Sequence, residues 1–556
     1  MTRVLWLSYR PETPNRYFWD MALLEDLFSH RLWHPVGAQT FSHCTSFQDI
    51  PEGEGAVIVL PARHHADYAE RLNADIARLP WVVLYLIGDE ENVFPVFKLS
   101  HPNLTVFQQM KEPSKLGHGF PNGYTPDTKM LDGMSHEKNL DWFFSGQITH
   151  IRREQCASQL RQMPGGYLYE SKGFTQGLQH EDYFRQMAAA KIVPCPSGPV
   201  APDTFRVYEA LEAGCIPILD SKCPIAYLDD YWRDIFGKHP LPVCNDWNDL
   251  PFIMDVELSE WPANVNRVAA WWMWYKRKLA YQLQAKLPSV VRDPDDIVTI
   301  LIPTSPIPSH PDTKIIENTV QSLRHHFPRA EMVIMFDGVR PELEHRRADY
   351  QEYTRRIIWK CQREWRNVLP VVFERHLHQA TMTRIVIEND RIIETPLLLF
   401  AEHDTPVVVP GDHISWDGIV ADTRRPIDWQ DIFALILSKR ADMVRLSHRG
   451  DGIPPEHQYL MGETVDCGRS KFVKTQQWCQ RPHVASTEFY RRILFEDFSA
   501  TARTMIEDRM MGVCQSYPWE VHKIFIYEPE LQRSYHTEGR HFQGVWDSKF
   551  ESTFTP

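Results

Sequence analysis

Five hundred and fifty-six residues exceed what one hydrophobic core organises, since single cores stop growing at roughly 250–300 residues, so the chain must divide into domains. With 43% apolar, 24% charged and 12% aromatic residues it has ample material for packed cores, which excludes an intrinsically disordered polypeptide. Sixty basic against seventy-three acidic residues leave a net charge of −13, which disfavours broad adhesion to nucleic acid or anionic membrane. Ten cysteines with no CxxC pair exclude a zinc ribbon or a thioredoxin-type motif. The amino-terminal residues lack the apolar core of a signal peptide. The longest apolar runs fall far short of the ~20 residues of a membrane span. No transmembrane segment is expected, and the expected setting is cytoplasmic (a host's cytoplasm for a viral chain).

The strand-like segments are short, continuous apolar runs: Val4–Leu7, Ala56–Leu60, Trp81–Ile87, Lys191–Val193, Ile216–Leu219, Val298–Ile302, Met332–Phe336 and Pro396–Phe400. Such runs, separated by helical patterns, predict parallel strands buried on both faces, hence α/β layers. The run Trp81–Ile87 exits into Asp89 and Glu90. A weak break follows near Pro126–Lys138. Next comes DWFFSGQITHIRR (141–153), read as a strand, a Ser-Gly turn and a helix opening with Arg152 and Arg153. A small residue with glycine admits a phosphate close to the backbone, and a helix start offers free N–H groups. In PSGPVAPDTFRVYEALEAGCIPILD (196–220), a polar loop with Ser197 leads into a helix carrying Arg206 and Glu209 on one face. That face suits either an ordinary ion pair or a diphosphate and a diol. A long helix, Trp261–Leu287, carries Trp271, Trp272, Trp274 and Tyr275, which suit a membrane-surface or sugar-stacking site but are expected to cover an interdomain surface. The polar stretch Pro288–Asp296 then marks the main domain boundary.

After that boundary, IVTILIPTSPIPSHPD precedes a helix (314–326) and the strand EMVIMFDG. LLLFAEHDTPVV and TMIEDRMMGVC follow. Each acidic group lies at a strand exit or a helix start. Two carboxylates one residue apart, Glu402 and Asp404, can bind a divalent cation. Residues 345–366 interleave seven arginines and lysines with Tyr350, Tyr353, Trp359 and Trp365. That stretch is either an amphipathic surface helix or a track for phosphates and bases.

The string RVYEALEAGCIPIL resembles the nucleotide-sugar half of the exostosin-like glycosyltransferases, and FFSGQ…RR resembles the element that opens the same half. The resemblance implies a GT-B module of two Rossmann-like units, an acceptor unit at 1–140 and a nucleotide-sugar unit at 141–290. It implies donor contacts at Arg206 and Glu209, with Ser197, Arg152 and Arg153 beside them. Asp89 and Glu90, at a strand's carboxyl end, are candidates for the base that deprotonates a sugar hydroxyl.

The second part, 297–556, resembles the GT-A glycosyltransferase fold. The resemblance implies that Pro303 and Thr304 end the first strand at the nucleotide and that Asp337 contacts base or ribose. Glu402 and Asp404 stand for the metal-binding DxD, with Asp404 as the main ligand because the motif opens with Glu. Ile506-Glu507-Asp508 resembles the x-Glu-Asp motif of inverting members, which makes Asp508 the general base and Glu507 a donor contact. His536 and His541 are candidates to complete a Mn²⁺ or Mg²⁺ site.

The expected function is therefore bifunctional sugar transfer from nucleotide-sugar donors to a glycan. The alternatives are a virus-type enzyme glycosylating hydroxymethylated DNA, or a chain with one module retained only for binding.

Overall fold

Successive residues of the first strands face opposite sides, and both sides are buried. Val4, Val57 and Val83 enter one core, while Leu5, Ile58 and Leu84 enter another. This is why the runs are continuous rather than alternating, and all eight form strands in the computed structural model. It describes residues 2–7, 22–28, 41–62, 67–111, 116–135, 137–173, 176–225, 231–287, 297–389, 392–411, 415–416, 419–420, 425–447 and 452–537. The boundary stretch 288–296 lies outside the described residues. Among the described residues, no helix is long and apolar enough to cross a membrane.

The described residues form two compact units. One takes those up to 287 together with Ile358–Arg366, and the other takes 297–357 and those from Asn367 on.

The first unit contains two wholly parallel sheets. β1 (Thr2–Trp6), β2 (Phe41–Cys44), β3 (Ala56–Pro61), β4 (Val82–Ile87), β5 (Leu104–Gln109) and β6 (His118–Phe120) lie in the order β2-β1-β3-β4-β5-β6. β7 (Leu140–Gln147), β8 (Gly166–Ser171), β9 (Ala190–Cys195), β10 (Ile216–Asp220) and β11 (Val243–Cys244) lie in the order β11-β10-β9-β7-β8. In both the order reverses beside the sheet's first strand, as in Rossmann-like doubly wound folds. Ligands bind such sheets at the carboxyl ends flanking that reversal. Ser145 and Gly146 do not form the expected turn. β7 runs through them to Gln147, paired with Tyr169–Ser171 of β8, and helix α1 (Ile151–Leu160) starts after it. Helix α2 (Phe205–Glu212) links β9 to β10. Helix α3 (Trp261–Gln284) buries Trp272 and Tyr275 against Tyr208 and Phe236, so the tryptophan cluster belongs to this unit's core.

The second unit is a mixed sheet. β12 (Val298–Thr304), β13 (Glu331–Phe336), β14 (Val368–Val372) and β15 (Leu397–Phe400) are parallel, in the order β14-β13-β12-β15. A two-stranded ribbon, β16 (Ser415–Trp416) and β17 (Ile419–Val420), stands apart from it. The sheet continues through β18 (Met443–Leu446), β19 (Met461–Cys467), β20 (Ser470–Thr475), β21 (His483–Ser486) and β22 (Ile524–Tyr527) in the order β21-β18-β22-β20-β19. Its helices include α4 (Lys314–His326), α5 (Arg347–Arg363), α6 (His378–Glu388) and α7 (Ile506–Ser516), the last turns of α5 belonging to the first unit. The strand order reverses between β12 and β15, so Thr304 and Glu402–Asp404 leave the sheet where a ligand site is expected.

Candidate functional sites

In the first unit the exits of β7 and β9 are tied together by side chains of α1 and the residue before it. The His150 Nε2 and Arg153 Nε both donate to the Ser197 carbonyl, at 3.0 and 3.2 Å, and Arg153 Nη1 donates to the Gln147 carbonyl at 3.0 Å. Arg206 reaches across from α2, donating Nη2 to the Ser145 carbonyl at 2.7 Å with its guanidinium 4.7 Å from the Phe144 ring. Burial, and then the charge of Arg206, lowers the Arg153 pKa to about 10. Two cations stand close together here, and the buried Arg206 Nε and Ser197 Oγ have no hydrogen-bond partner. The arrangement can hold an anion.

The structure gives other candidates structural work. Arg152 clamps Asp220 at the end of β10, with Nε 3.2 Å from both carboxylate oxygens, and Trp247 Nε1 donates to the same group at 3.0 Å. It is an internal ion pair. Glu209 is buried and accepts from Thr125 Oγ1 at 3.1 Å and Tyr183 OH at 2.8 Å. Its carboxylate is thus already satisfied, against the expectation of an open diol acceptor. Asp89 is fully buried, and its oxygens accept the backbone N–H groups of Val93 and Phe94 at 2.9 and 3.0 Å. It staples its own loop. Half-buried Glu90 follows it in the same loop.

In the second unit, Thr304 is buried at the end of β12. Its carbonyl accepts from Tyr350 OH and the Asp337 N–H, each at 3.1 Å. Pro303 lies within the strand, opposite Met335 of β13. Asp337, at the exit of β13, accepts the N–H groups of Leu377 and His378 at 2.8 and 3.0 Å and sits 2.8 Å from His376 Nδ1. Both oxygens organise the loop into α6.

The acidic groups converge. Glu402 and Asp404 leave β15, and His536 Nδ1 lies 3.4 Å from Asp404 Oδ2. His536 is placed by backbone pairing of 533–537 along 404–408. The Val408 N–H donates to Arg533, that of Tyr535 to Pro406 and that of Thr537 to Asp404. Burial alone would raise the Asp404 pKa, but the neighbouring His403 and His536 hold it below the usual carboxylate range. Glu402 is pushed up to about 8 by burial and by the negative charge of Asp404 and Glu507. Glu507, in the first turn of α7, is itself raised, chiefly by burial. Asp508 follows it and is exposed. His541 lies outside the described residues.

Three observations bear on a metal ion. Asp404 Oδ1 is buried without a hydrogen-bond partner, Glu402 is crowded by like charge, and the donors are carboxylate oxygens with one imidazole. That donor chemistry fits Mn²⁺ or Mg²⁺. Among the described residues, no three such groups converge on one ion-sized point.

One member of the site carried no sequence signal. Gln379, near the start of α6, donates Nε2 to Glu402 at 3.2 Å and accepts the Ile506 N–H at 3.0 Å. The interleaved stretch 345–366 is not a base-stacking surface. Tyr350, Tyr353 and Trp359 are buried. Arg355 and Arg356 both pair with Glu352 at 2.8 Å, Lys360 pairs with Glu364 at 3.0 Å, and Arg363 pairs with Glu212 at 2.6 Å in the first unit. This removes the support that the stretch lent to a DNA acceptor.

No family model matches the chain, and no curated protein matches it. Among solved structures it is similar to residues 1–349 of Staphylococcus aureus TarS, at 14% identity and a TM-score of 0.26, over 44% of this chain and 61% of that one. The same protein in complex with UDP-GlcNAc overlaps at 13% identity and a TM-score of 0.26, over 45% of this chain and 61% of that one. The mannosyltransferase PcManGT from Pyrobaculum calidifontis, in complex with GDP-Man and Mn²⁺, overlaps at 11% identity and a TM-score of 0.24, over 46% and 60%. The chain thus spans about three fifths of the length of these proteins. Overlaps this partial carry no functional weight beside the chain's own residues.

Proposed function

We propose that the chain is a glycosyltransferase moving sugars from nucleotide-sugar donors to hydroxyls of a glycan acceptor. In this reading the second unit works by a single displacement with inversion. The observation that carries it is that Glu402, with Asp404 and Glu507 as charged neighbours, and His536, 3.4 Å from Asp404, lie at the β12/β15 reversal. Asp404, with Glu402 and His536, would hold Mn²⁺ or Mg²⁺, whose charge would offset that of the departing diphosphate when bound. Half-buried Glu402 and Glu507 bound the donor side. Exposed Asp508 faces the side from which an acceptor arrives and takes the proton of its hydroxyl. The oxygen then attacks the anomeric carbon opposite the leaving group. In the first unit, Arg153, Arg206 and Ser197 are assigned to a second donor's diphosphate, which makes the chain bifunctional.

The test is a screen of UDP-, GDP-, CMP- and dTDP-linked sugars with the full chain, following release of the nucleotide with and without Mn²⁺. Release from none of them would sink the proposal. In the active reaction, Asp404→Asn should raise the Mn²⁺ concentration needed for half-maximal rate by on the order of ten- to a hundredfold. A Mn²⁺ titration with an unchanged midpoint would remove Asp404 from the metal site.

A further inference from the structure

Helix α7 begins without a side-chain cap of its own, since Met505 at its N-cap offers none. Its first N–H groups therefore need acceptors from elsewhere. The Ile506 N–H finds one 127 residues away, in Gln379 Oε1 at 3.0 Å. The same amide donates its Nε2 to Glu402 at 3.2 Å. The orientation of the amide is dictated by the Ile506 N–H, which only donates, so Oε1 faces it and Nε2 is left for Glu402. Gln379 is 6% exposed, so both bonds form away from competing water.

The residue before it explains how the amide is held. His378 has a φ of +65°, a left-handed backbone that a non-glycine residue keeps only when its surroundings enforce it. The enforcement is visible: its N–H and that of Leu377 are both held by Asp337 at the exit of β13. Its ring Nδ1 accepts the Gln379 N–H at 2.9 Å, which places the proton of the neutral ring on Nε2. One chain of contacts thus runs from Asp337 through His378 and Gln379 to Glu402 on one side. On the other it reaches the turn of α7 that carries Glu507 and Asp508.

We propose that Gln379 is a positioning residue for the reaction of the second unit. It acts as an amide strut that fixes the Glu402 carboxylate relative to the first turn of α7, with His378 holding it in register. The inference rests on the transferase reading, but the strut itself has an independent readout. Gln379→Met keeps the length and removes both hydrogen bonds, and Gln379→Asn keeps the amide but shortens its reach.

Both variants, as full chains, should exchange the backbone amides at the start of α7 at least about tenfold faster, read by hydrogen–deuterium exchange of peptides covering 504–510. Both should lose at least about tenfold in kcat with donor KM nearly unchanged, as expected when reacting groups are misplaced but binding is kept. A residue that merely stabilises the fold would show neither the local exchange nor the kcat-against-KM split. Unchanged exchange overturns the strut. Faster exchange with normal kcat overturns its role in positioning. Variants that exchange as predicted, beside a wild-type chain that transfers no sugar, overturn the transferase reading and leave the strut standing.

Discussion

Asp508→Asn is expected to lower turnover by a factor of about 10²–10⁴, the usual cost of losing a general base, while donor affinity stays nearly unchanged. The expectation follows from where the four acids sit. Glu402 and Glu507 are half-buried or deeper, Asp404 is buried, and Asp508 alone is exposed. An acceptor must arrive from solvent, so only Asp508 can meet its hydroxyl without rearrangement. Asn keeps the size and most of the polarity, so a large loss reports on the proton rather than on packing. The check is steady-state kinetics beside calorimetry of donor binding. Turnover within a few-fold of the wild type would remove Asp508 from the chemistry.

The second large effect concerns stability. Glu212, at the end of α2, is 3% exposed. It accepts from Lys276 Nζ at 2.6 Å, Trp272 Nε1 at 2.7 Å and Arg363 Nη2 at 2.6 Å. Glu212→Ala strands Lys276 in the core of the first unit and leaves Arg363 its contacts to Asp132 and the residue-212 carbonyl, and breaking a buried pair from one side costs about 3–5 kcal/mol. Denaturant unfolding followed by tryptophan fluorescence, sensitive to Trp272 nearby, should show this as an earlier first transition. A shift below about 1 kcal/mol would mean that water reaches the cluster.

The same group sets a pH dependence. Burial opposes the charge of Glu212, but Lys276 and Arg363 outweigh it and bring the pKa down from 4.5 to about 2. Because the folded value lies below the unfolded one, this stabilisation is full above the unfolded pKa. It is lost as the pH falls from there through the folded value.

The parallel layers were legible because strands buried on both faces must be apolar at nearly every position, as β3, β4, β12 and β13 are. The acids at strand exits were legible for a related reason, since the chain turns polar where it leaves the sheet. What each acid does there was not. Asp89, Asp337 and Asp404 all follow buried strands, yet two of them close loops and only Asp404 keeps an oxygen without a partner. The difference lies in backbone N–H groups whose direction no residue pattern encodes. The ion pair of Arg152 was not legible because its partner, Asp220, is 68 residues away. Gln379 was missed because both of its partners, Glu402 and Ile506, are distant and an isolated glutamine carries no pattern. The ion pairs of α5 could have been found, since Glu352 stands three and four residues before Arg355 and Arg356.

A single displacement at the second unit is decided by the anomeric configuration of the product. Proton NMR of the glycoside formed by the full chain reports that configuration through the coupling of the anomeric proton. One attack opposite the leaving group requires inversion relative to the donor, with product formation slowed by about 10²–10⁴ in Asp508→Asn and kept when Arg206 of the first unit is changed to Ala. Retention of the donor's configuration in a product whose formation depends on Asp508 would contradict the single displacement.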